Sequence, residues 1–462
     1  MADPKDPSSK DPERNRFSAR FGRAASLGAN LSGAAAAYGA ARLFGGADSD
    51  AQIAAALRQA LGRSKGPLMK IAQMLATIPD FLPPDYAREL STLMANAPAM
   101  GWPFVQRRMR AELGPDWKSK FASFEHEAAA AASLGQVHRA VAHDGRTLAC
   151  KLQYPDMSSA VASDLDQLQT IFTVVKRVNK GVDPTQIGVE MEARLVEELD
   201  YERERKHIAL FREILAPVPS ANLPEPVEEL STKRLLTMTW LDGAPLTDFM
   251  DAPKETRNAI ATALFRAWWR PVGQYGIIHG DPHLGNYSFS ADGKTLNLLD
   301  FGCVRVFPPR FIHGVLKLRE GLEHENRALI EEAYDLWGFK NLKPEVIDAM
   351  GIWARFLYAP LLDRRVRKVA DGMDAAEYGR NELRAMKTEL MKHEAVTMPR
   401  EFLLLDRAVV GLGAAFLRLR AELNFAELFD ECVEGFTVET VEQRQTAALE
   451  RAGLNRDCTP AE

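Results

Sequence analysis

The chain has 462 residues, of which 46% are hydrophobic and 26% are charged, and its formal net charge is −5 at pH 7. This length and apolar content are sufficient for two or three domains, each with a hydrophobic core of its own. The sequence contains no block of basic residues interleaved with aromatic ones, so we expect no nucleic-acid partner.

Cysteines and apolar runs give further expectations. The four cysteines are scattered and form no CxxC pair, which favours a reducing compartment: Cys150, Cys303, Cys432 and Cys458. The nearest candidate for a spanning helix, FLLLDRAVVGLGAAFLRL from Phe402, is interrupted by Asp406 and Arg407. We therefore predict a buried helix there rather than a membrane span.

The N-terminal region has two parts. Residues 1–13 are polar, Pro-rich and of mixed charge, and we expect them to be disordered. The segment 14–46 is rich in Arg, Gly and Ala, and no acidic residue follows until Asp48. Such a segment suits either an anionic bilayer surface or close packing as a helix. It also resembles an organelle transit peptide, but the acidic residues that precede it count against that interpretation.

From Ser49 to about Leu113 the pattern predicts helices separated by proline-containing turns. The middle helix carries Lys70 and Gln73 among apolar neighbours. By itself, this pattern is typical of a solvated lysine on an amphipathic helix.

The middle of the chain has strand character. An alanine-rich loop, a strand over Gln136–Ala142, an Asp-Gly turn and a second strand ending at Lys151 are predicted in that order. A long helix is predicted over about 158–215, and KRLLTMTWLDG, from Lys233, is predicted as another strand. Beyond Ala244 the pattern is almost entirely helical, so a small β-containing lobe precedes a large helical lobe.

The stretch His279–Gly302 carries the most informative motifs. Asp281 is followed five positions later by Asn286, which is the spacing of the protein-kinase catalytic loop, and Asp300 opens a D-F-G triplet. Between them, YSFSADGKTLNLL predicts a β-hairpin with an Asp-Gly turn. Because both acidic residues then lie at the ends of elements, we expect them to face one cleft.

These residue types suit phosphoryl transfer, in which the protein positions the reacting groups and neutralises charge. The Asp300 carboxylate and the Asn286 amide oxygen are hard ligands of the kind that Mg²⁺ prefers. Asp281 would orient an attacking hydroxyl or water and accept its proton. The sequence therefore predicts ATP or ADP and Mg²⁺ as cofactors.

Lys151 lies in LACKL, where kinases carry the V-A-I-K lysine that binds nucleotide phosphates. Kinases pair this lysine with a helix glutamate, and LVEELDYERER offers four candidates: Glu197, Glu198, Glu202 and Glu204. No G-x-G-x-x-G precedes Lys151, and its place is taken by the alanines of 128–132 and by Ser133. Alanine reaches positive φ less readily than glycine, so we expect a stiffer lid with altered phosphate handling, or no nucleotide site at all.

Four motifs together resemble the UbiB family of atypical, protein-kinase-like proteins. AAAASLGQVH (Ala129–His138) resembles the family's alanine-rich nucleotide loop, ELDYERE (Glu198–Glu204) its ExD helix, and HGDPHLGN its catalytic loop. KIAQ (Lys70–Gln73) resembles its K-x-G-Q signature, with alanine where the family has glycine. The resemblance extends from about Phe17 to about Asn424. The Arg/Gly/Ala segment resembles the N-terminal extension of mitochondrial and proteobacterial members.

The resemblance implies an α+β fold: a protein-kinase-like two-lobe structure with an N-terminal helical extension packed over the cleft. The implied domains are a disordered tail, the extension with its KxGQ-like motif, an N-lobe and a helical C-lobe: 1–13, 14–120, 121–243 and 244–462. No A-P-E triplet follows Asp300, which agrees with the absence of a peptide-substrate platform.

The resemblance also implies site roles. Lys151 binds nucleotide phosphates and pairs with a helix glutamate, for which Glu204 is our first choice, while Asp281 is the catalytic aspartate. The implied metal ligands are Asn286 and Asp300. The other implied nucleotide contacts lie in the alanine loop and after the strand from Lys233: Ala130, Ala131, Ala132, Ser133, Thr239 and Leu241.

The KxGQ-like helix would lie over the cleft through Lys70 and Gln73, with Glu198 as the partner of Lys70. The implied function is that of an atypical kinase-like ATPase that supports ubiquinone biosynthesis and acts on a lipid-like small molecule rather than a protein. The implied partners are a lipid, isoprenoid or quinone-precursor ligand, a peripheral membrane surface and ubiquinone-biosynthesis proteins. We expect a cytoplasmic protein peripheral to the inner membrane, or a matrix protein in a mitochondrion.

Three alternatives remain open. A small-molecule phosphotransferase of the aminoglycoside or choline kinase type also uses HGDxHxGN, although the alanine loop and KIAQ argue against it. A metallophosphohydrolase would use His279, Asp281 and His283 as metal ligands, but this cluster lacks the further ligands of a two-metal site. The third is a nucleotide-binding pseudokinase scaffold.

Overall fold

The computed structural model describes residues 100–132, 134–154, 196–339, 342–370, 372, 378–390, 392–393 and 400–456. The predicted tail, the helices before residue 100, Lys70, Gln73, Ser133 and most of the helix predicted over 158–215 lie outside the described residues. The chain divides into two compact units. The first runs to Glu202 and includes Pro226–Trp240; the second consists of Arg203–Glu225 and Leu241 onward. The four domain boundaries proposed from the sequence stay predictions.

The first unit contains an antiparallel sheet and the helix α1 (Trp102–Leu113). Its strands are β1 (Ser123–Phe124), β2 (Ala130–Ala132), β3 (Gly135–Val141), β4 (Thr147–Gln153) and β6 (Leu235–Thr239). They follow the order β1-β3-β4-β6, and β2 pairs with β3 as well. The predicted hairpin and the later strand are confirmed, although the second strand ends at Gln153 rather than at Lys151.

Helix α1 covers one face of this sheet with an apolar stripe. Val105 and Met109 are fully buried, and they belong to one core cluster with Trp117, Leu148 and Leu152. Helical spacing of the buried positions on α1 and alternation on the strands bring these side chains together. The core of the unit therefore lies between α1 and the sheet.

A buried arginine joins α1 to the end of β4. Arg108 donates to the carbonyl oxygens of Gln153 (3.2 Å) and Tyr154 (3.1 Å) and forms an ion pair with Glu112 at 3.2 Å. Glu112 also accepts a hydrogen bond from Thr232 at 2.7 Å. Because a buried charge is costly unless it is paired, this network specifies where the helix sits.

The alanine-rich segment is a strand where we predicted a loop. Ala130, Ala131 and Ala132 pair in antiparallel register with Val137, Gln136 and Gly135. Alanine has a low intrinsic strand propensity, but an adjacent strand offers hydrogen bonds that override it. The loop prediction is therefore wrong for residues 130–132.

The second unit contains short strands that frame the catalytic-loop sequence. Two pair antiparallel, β7 (Ile277–His279) with β10 (Val304–Val306), and three form a second sheet: β5 (Ala221–Asn222), β8 (Tyr287–Phe289) and β9 (Leu296–Leu298). The predicted hairpin is confirmed as β8–β9, with Gly293 at φ 68° in its turn. A side chain is disfavoured at this φ, which is why glycine follows Asp292.

The rest of the second unit is helical. Helix α2 (Tyr201–Ile214) contributes its residues from Arg203 onward, and α3 (Lys254–Tyr275) ends at Gly276, where φ is 63°. The other described helices are α4 (Pro309–Glu323), α5 (Arg327–Leu336), α6 (Pro344–Tyr358), α7 (Arg380–Leu390), α8 (Arg400–Arg418), α9 (Phe425–Cys432) and α10 (Val438–Arg451).

Helix α8 carries the apolar run noted in the sequence. Ala408, Leu412, Ala415 and Phe416 are buried on it, so the prediction of a buried helix is confirmed. Among the described residues, no helix combines the length and the apolarity needed to cross a membrane.

Candidate functional site: the catalytic loop and the lysine strand

His279 connects the catalytic loop to the D-F-G triplet. Its ring is buried, its Nε2 lies 2.6 Å from the carbonyl oxygen of Asp300, and its Nδ1 lies 3.3 Å from the backbone N–H of Asp281. A carbonyl oxygen can only accept and a backbone N–H can only donate, so the neutral tautomer with the proton on Nε2 satisfies both bonds. The imidazole thus sets the separation of the two motifs.

Asn286 fixes the carboxylate of Asp281. Its Nδ2 donates to Asp281 Oδ2 at 3.0 Å and to the Asp281 carbonyl oxygen at 3.1 Å. The single turn of 3₁₀ helix over Leu284–Asn286 makes this possible, because it folds residue 286 back toward residue 281. With its amide nitrogen committed to Asp281, the amide oxygen of Asn286 is the atom suited to ligate a metal.

The D-F-G triplet is held by its own backbone and by α2. Asp300 Oδ1 accepts from the Gly302 N–H at 3.0 Å. On α2, Glu204 accepts from the Phe301 N–H at 3.4 Å, and His207 Nδ1 lies 2.9 Å from the Phe301 carbonyl oxygen. The Phe301 ring is buried against Phe211, with 5.4 Å between the ring centroids. Phe301 is therefore anchored through both backbone groups and its ring.

The donor set fits Mg²⁺. Within the described part of the chain, no three His, Cys, Asp or Glu side chains come together as a metal site. Mg²⁺ is usually held by one or two carboxylates, water and substrate phosphates rather than by an all-protein cage. One carboxylate (Asp300) and one amide oxygen (Asn286) on a shared framework match that pattern. His279 uses both ring nitrogens, which removes one ligand from the metallophosphohydrolase alternative.

In the first unit, Lys151 lies in the middle of the sheet. It is opposite Val137 on β3 and Leu236 on β6, and the residue is only 7% exposed. Its Nζ lies 5.2 Å from the centroid of the Tyr201 ring, within the range of a cation–π interaction. Strand pairing on both sides therefore fixes the backbone of Lys151, and burial and the Tyr201 ring restrict its side chain.

Gly135, at the start of β3, permits a close approach of two strands. A Cβ at this position would lie 2.2 Å from the Leu152 carbonyl oxygen and 3.0 Å from the Tyr201 hydroxyl. Real Cβ atoms do not approach a carbonyl so closely, so only glycine fits here. The turn that begins β3 is thereby held directly against β4, the strand that carries Lys151.

Comparison with known proteins shows the family and the fold class. Residues 92–334 match the family model described as the ABC1 atypical kinase-like domain. The chain belongs to the UbiB family of atypical kinase-like proteins. Its α+β fold is correspondingly kinase-like, as the sequence predicted.

Several UbiB relatives are similar over much of the chain. "Atypical kinase COQ8B, mitochondrial" of Rattus norvegicus is 28% identical over 85% of this chain and 74% of that protein. "Atypical kinase COQ8, mitochondrial" of Saccharomyces cerevisiae is 30% identical over 59% of this chain and 54% of that protein. The chain thus spans only about half of the yeast relative.

A solved structure gives the same result for the fold. It is titled the complex structure of Rv3197-erythromycin from Mycobacterium tuberculosis, and it is 27% identical with a TM-score of 0.58. The match covers 81% of this chain and 94% of that chain.

The roles predicted for the site residues stay predictions, those of Lys151, Asp281, Asn286 and Asp300 included. Glu198 lies just before α2, and its predicted partner Lys70 is outside the described residues. The pairing of Lys151 with Glu204 also stays a prediction. Thr239 is the last residue of β6 and pairs with Leu148, and Leu241 follows two positions later.

Sequence reasoning missed several structurally important positions within each of the two units. Gln136 exchanges hydrogen bonds with the backbone of Met100 at 2.7 and 3.2 Å and lies 2.8 Å from His138 Nε2. Both side chains are fully buried. Polar residues in a strand that otherwise reads as apolar were a usable signal, because buried polar groups require partners.

Helix α8 also contacts the catalytic loop directly, through a glycine. A Cβ on Gly411 would lie 2.6 Å from Cγ of Pro282, the residue after Asp281. No local pattern in the sequence connects these two positions. The loop therefore rests on a helix that begins more than a hundred residues later in the chain.

Proposed function

We propose that this protein is an atypical kinase-like ATPase that binds Mg²⁺–nucleotide and supports ubiquinone biosynthesis. The observation that carries the proposal is the framework in which His279 bonds both Asp281 and Asp300 while Asn286 restrains the Asp281 carboxylate. Positioning and charge neutralisation are the main demands of phosphoryl transfer. Membership of an atypical kinase-like family supports the same conclusion.

Each residue of the framework has a proposed task. Asp281 orients an attacking hydroxyl or water and accepts its proton. Asn286 keeps the Asp281 carboxylate in place and, with Asp300, supplies oxygen ligands for Mg²⁺. When bound, Mg²⁺ would neutralise charge on the phosphate oxygens. Lys151 contacts the nucleotide phosphates with its ammonium.

The remaining predicted residues are proposed to shape nucleotide selection. The alanine strand and Ser133 would cover the phosphates, and Thr239 and Leu241 would contact the nucleotide. Lys70 and Gln73, with Glu198 as the partner of Lys70, would occupy the space that a protein substrate needs. These assignments rest on the family motifs.

A lipid-like small molecule is the proposed target rather than a protein. Support comes from the missing A-P-E triplet and from the COQ8 relatives, which are named as mitochondrial atypical kinases. The mycobacterial neighbour is titled as a complex with erythromycin, which is an organic molecule rather than a protein. The proposed location is the cytoplasm with peripheral attachment to the inner membrane, or the matrix side in a mitochondrion, beside other ubiquinone-biosynthesis proteins.

Thermal shift with Mg·ATP and Mg·ADP tests the nucleotide site. Asp300→Asn should abolish the Mg²⁺-dependent shift, because it removes the only carboxylate assigned to the metal, while the unliganded melting temperature stays near that of the parent. The matched control is Asp292→Asn in the exposed β8–β9 turn, where asparagine supports the same turn. An undiminished shift in Asp300→Asn would remove the metal assignment.

ATP turnover separates the alternatives. Hydrolysis that increases with anionic liposomes and quinone-like phenols supports the proposal. Turnover that depends on a soluble aminoglycoside or choline indicates the small-molecule kinase type. Nucleotide binding with no turnover under any condition indicates the pseudokinase scaffold.

A further inference from the structure

The helical unit contains a pocket that none of the site assignments uses. Its volume is about 110 Å³, and α3, α6 and α8 all contribute to its walls. The walls are mainly aromatic and aliphatic, and they include Trp269, Trp353, Phe402, Leu412 and Phe416. The pocket lies wholly within the second unit.

One acidic side chain, Asp406 of α8, lines this apolar pocket. Its Oδ2 accepts a hydrogen bond from the indole Nε1 of Trp353 at 3.0 Å, the one hydrogen bond that the described residues give this carboxyl. Burial raises the pKa of Asp406 to about 7, with the Trp353 bond acting in the opposite direction. The group keeps some accessible surface because it lines the pocket.

The neighbouring titratable groups do not neutralise Asp406. Tyr358 on α6 donates its hydroxyl to the Val315 carbonyl oxygen at 3.1 Å, and burial raises the pKa of both Tyr358 and Tyr334 on α5. Arg319 on α4 is paired with Asp430. No described side chain gives Asp406 a positive charge.

The other titratable groups near the pocket also leave Asp406 without a positively charged partner among the described residues. Burial raises the pKa of Tyr378, and nearby Glu382 on α7 adds to that increase. Arg367 is engaged by Asp363 at 3.1 Å. The described surroundings of Asp406 thus offer aromatic faces and a hydrogen bond, but no counter-charge.

We propose that this pocket binds a small organic cation, an amine on a compact apolar body, with its ammonium on Asp406 and its body among the aromatic rings. An ionised buried carboxylate is costly unless it is paired, and an ammonium supplies the pair. Aromatic faces attract cations in addition. A dry cavity of about 150 Å³ holds benzene, which has six heavy atoms, so a pocket of about 110 Å³ fits an apolar body of about four or five.

The competing explanation is that Asp406 only links α8 to α6 through Trp353. The two differ in what they predict for ligand charge. If Asp406 is only a structural link, the pocket should bind an amine no more tightly than an alcohol of the same shape. If it is a cation site, the pocket should bind the amine more tightly. Cyclopentylamine and cyclopentanol provide such a pair.

Titration calorimetry on the full chain at pH 6, 7 and 8 makes the comparison. Cyclopentylamine should bind, and cyclopentanol should bind at least about tenfold more weakly at pH 8, a difference of about 1.4 kcal/mol. Because only ionised Asp406 attracts the ammonium, affinity for the amine should rise about tenfold from pH 6 to pH 8 if the free carboxyl titrates near pH 7. The amine itself stays protonated across this range.

Three variants complete the test. Asp406→Asn retains an acceptor for the Trp353 indole and should lose both the preference for the amine and its pH dependence. Val409→Phe places a ring in the pocket and should block both probes. Glu439→Gln, an exposed carboxyl at the start of α10, is the matched control and should titrate like the parent.

Four results would overturn the proposal. These are no binding of cyclopentylamine at millimolar concentration, equal affinities for the amine and the alcohol, pH-independent affinity for the amine, or undiminished affinity in Asp406→Asn. Far-ultraviolet circular dichroism confirms that each variant is folded. If Asp406→Asn does not fold, Val409→Phe provides the test instead. In that case the proposal is overturned if Val409→Phe binds cyclopentylamine as tightly as the parent does.

Discussion

Gly411→Ala on α8 is the sharpest available perturbation of the catalytic loop from outside it. The new Cβ would lie 2.6 Å from Cγ of Pro282, whereas ordinary contacts begin near 3.4 Å. The two groups must therefore separate by about 0.8 Å to restore normal van der Waals packing. Pro282 cannot yield by rotating a flexible side chain, because its ring is closed onto the backbone. The displacement must pass to α8 or to the loop that carries Asp281.

Gly411→Ala should reduce ATP turnover much more than it reduces the stability of the protein. Alanine gains about 1 kcal/mol over glycine inside a helix, while overpacking costs about 1–3 kcal/mol. The free energy of unfolding should therefore fall by no more than about 2 kcal/mol. A misplacement of about 1 Å in a catalytic group can cost about a hundredfold in rate. We expect turnover of ATP to fall steeply in a protein that still folds.

The assay pairs ATP turnover with thermal denaturation in Gly411→Ala and in a matched control. Gly351→Ala on α6 is that control, because a Cβ there meets no atom within 4 Å. It should keep parent turnover and gain up to about 1 kcal/mol of stability. Parent turnover in Gly411→Ala, at an unfolding temperature close to the parent's, would refute the argument that this helix supports the catalytic loop.

Ala131→Gly should strengthen binding of ATP relative to ADP, because glycine makes the backbone of β2 more flexible. Titrations of the variant and the parent with both nucleotides measure the ratio of the ATP and ADP affinities. An unchanged ratio would mean that this strand does not hold the phosphates. Lys70→Ala should alter ATP turnover, and a double-mutant cycle with Glu198→Ala should give a coupling energy above about 1 kcal/mol. Strictly additive effects together with parent turnover in Lys70→Ala would mean that Lys70 is a solvent-exposed lysine with no role in the site. Asp406→Asn should match the parent's stability near pH 4 and exceed it increasingly toward pH 7.5. A carboxyl whose folded pKa is raised binds more protons in the native state, so the parent loses stability as pH rises between the unfolded and folded pKa values. Denaturant unfolding across this range checks the sign.

Local sequence was sufficient for the elements that make the site recognisable. The spacing of Asp281, Asn286 and Asp300 matches the kinase catalytic-loop and D-F-G pattern, and an Asp-Gly turn between alternating strands identified the hairpin. Such features depend on neighbours in the chain, so their pattern is visible without the fold. Lys151 was correctly placed on a strand for the same reason.

The alanine segment shows where local preference misleads. Ala130–Ala132 has a composition that argues against a strand, yet β3 lies alongside and supplies hydrogen-bond partners. Pairing with a neighbouring strand depends on tertiary contacts, and it outweighs a propensity difference of about 1 kcal/mol or less per residue.

Only the tertiary structure decided how the motifs are held. The bonds from Glu204 and His207 to Phe301 join residues 97 and 94 positions apart, and Pro282 rests on Gly411 of α8. Asp406, which in the sequence merely interrupts an apolar run, becomes the acidic group of an aromatic pocket. The sequence by itself determined the family, the catalytic motifs and most of the elements that carry them, because these depend on spacing along the chain. The contacts that hold those motifs in place come from long-range packing, in which each contact depends on the positions of the other elements. Such contacts cannot be read from the periodicity of the sequence.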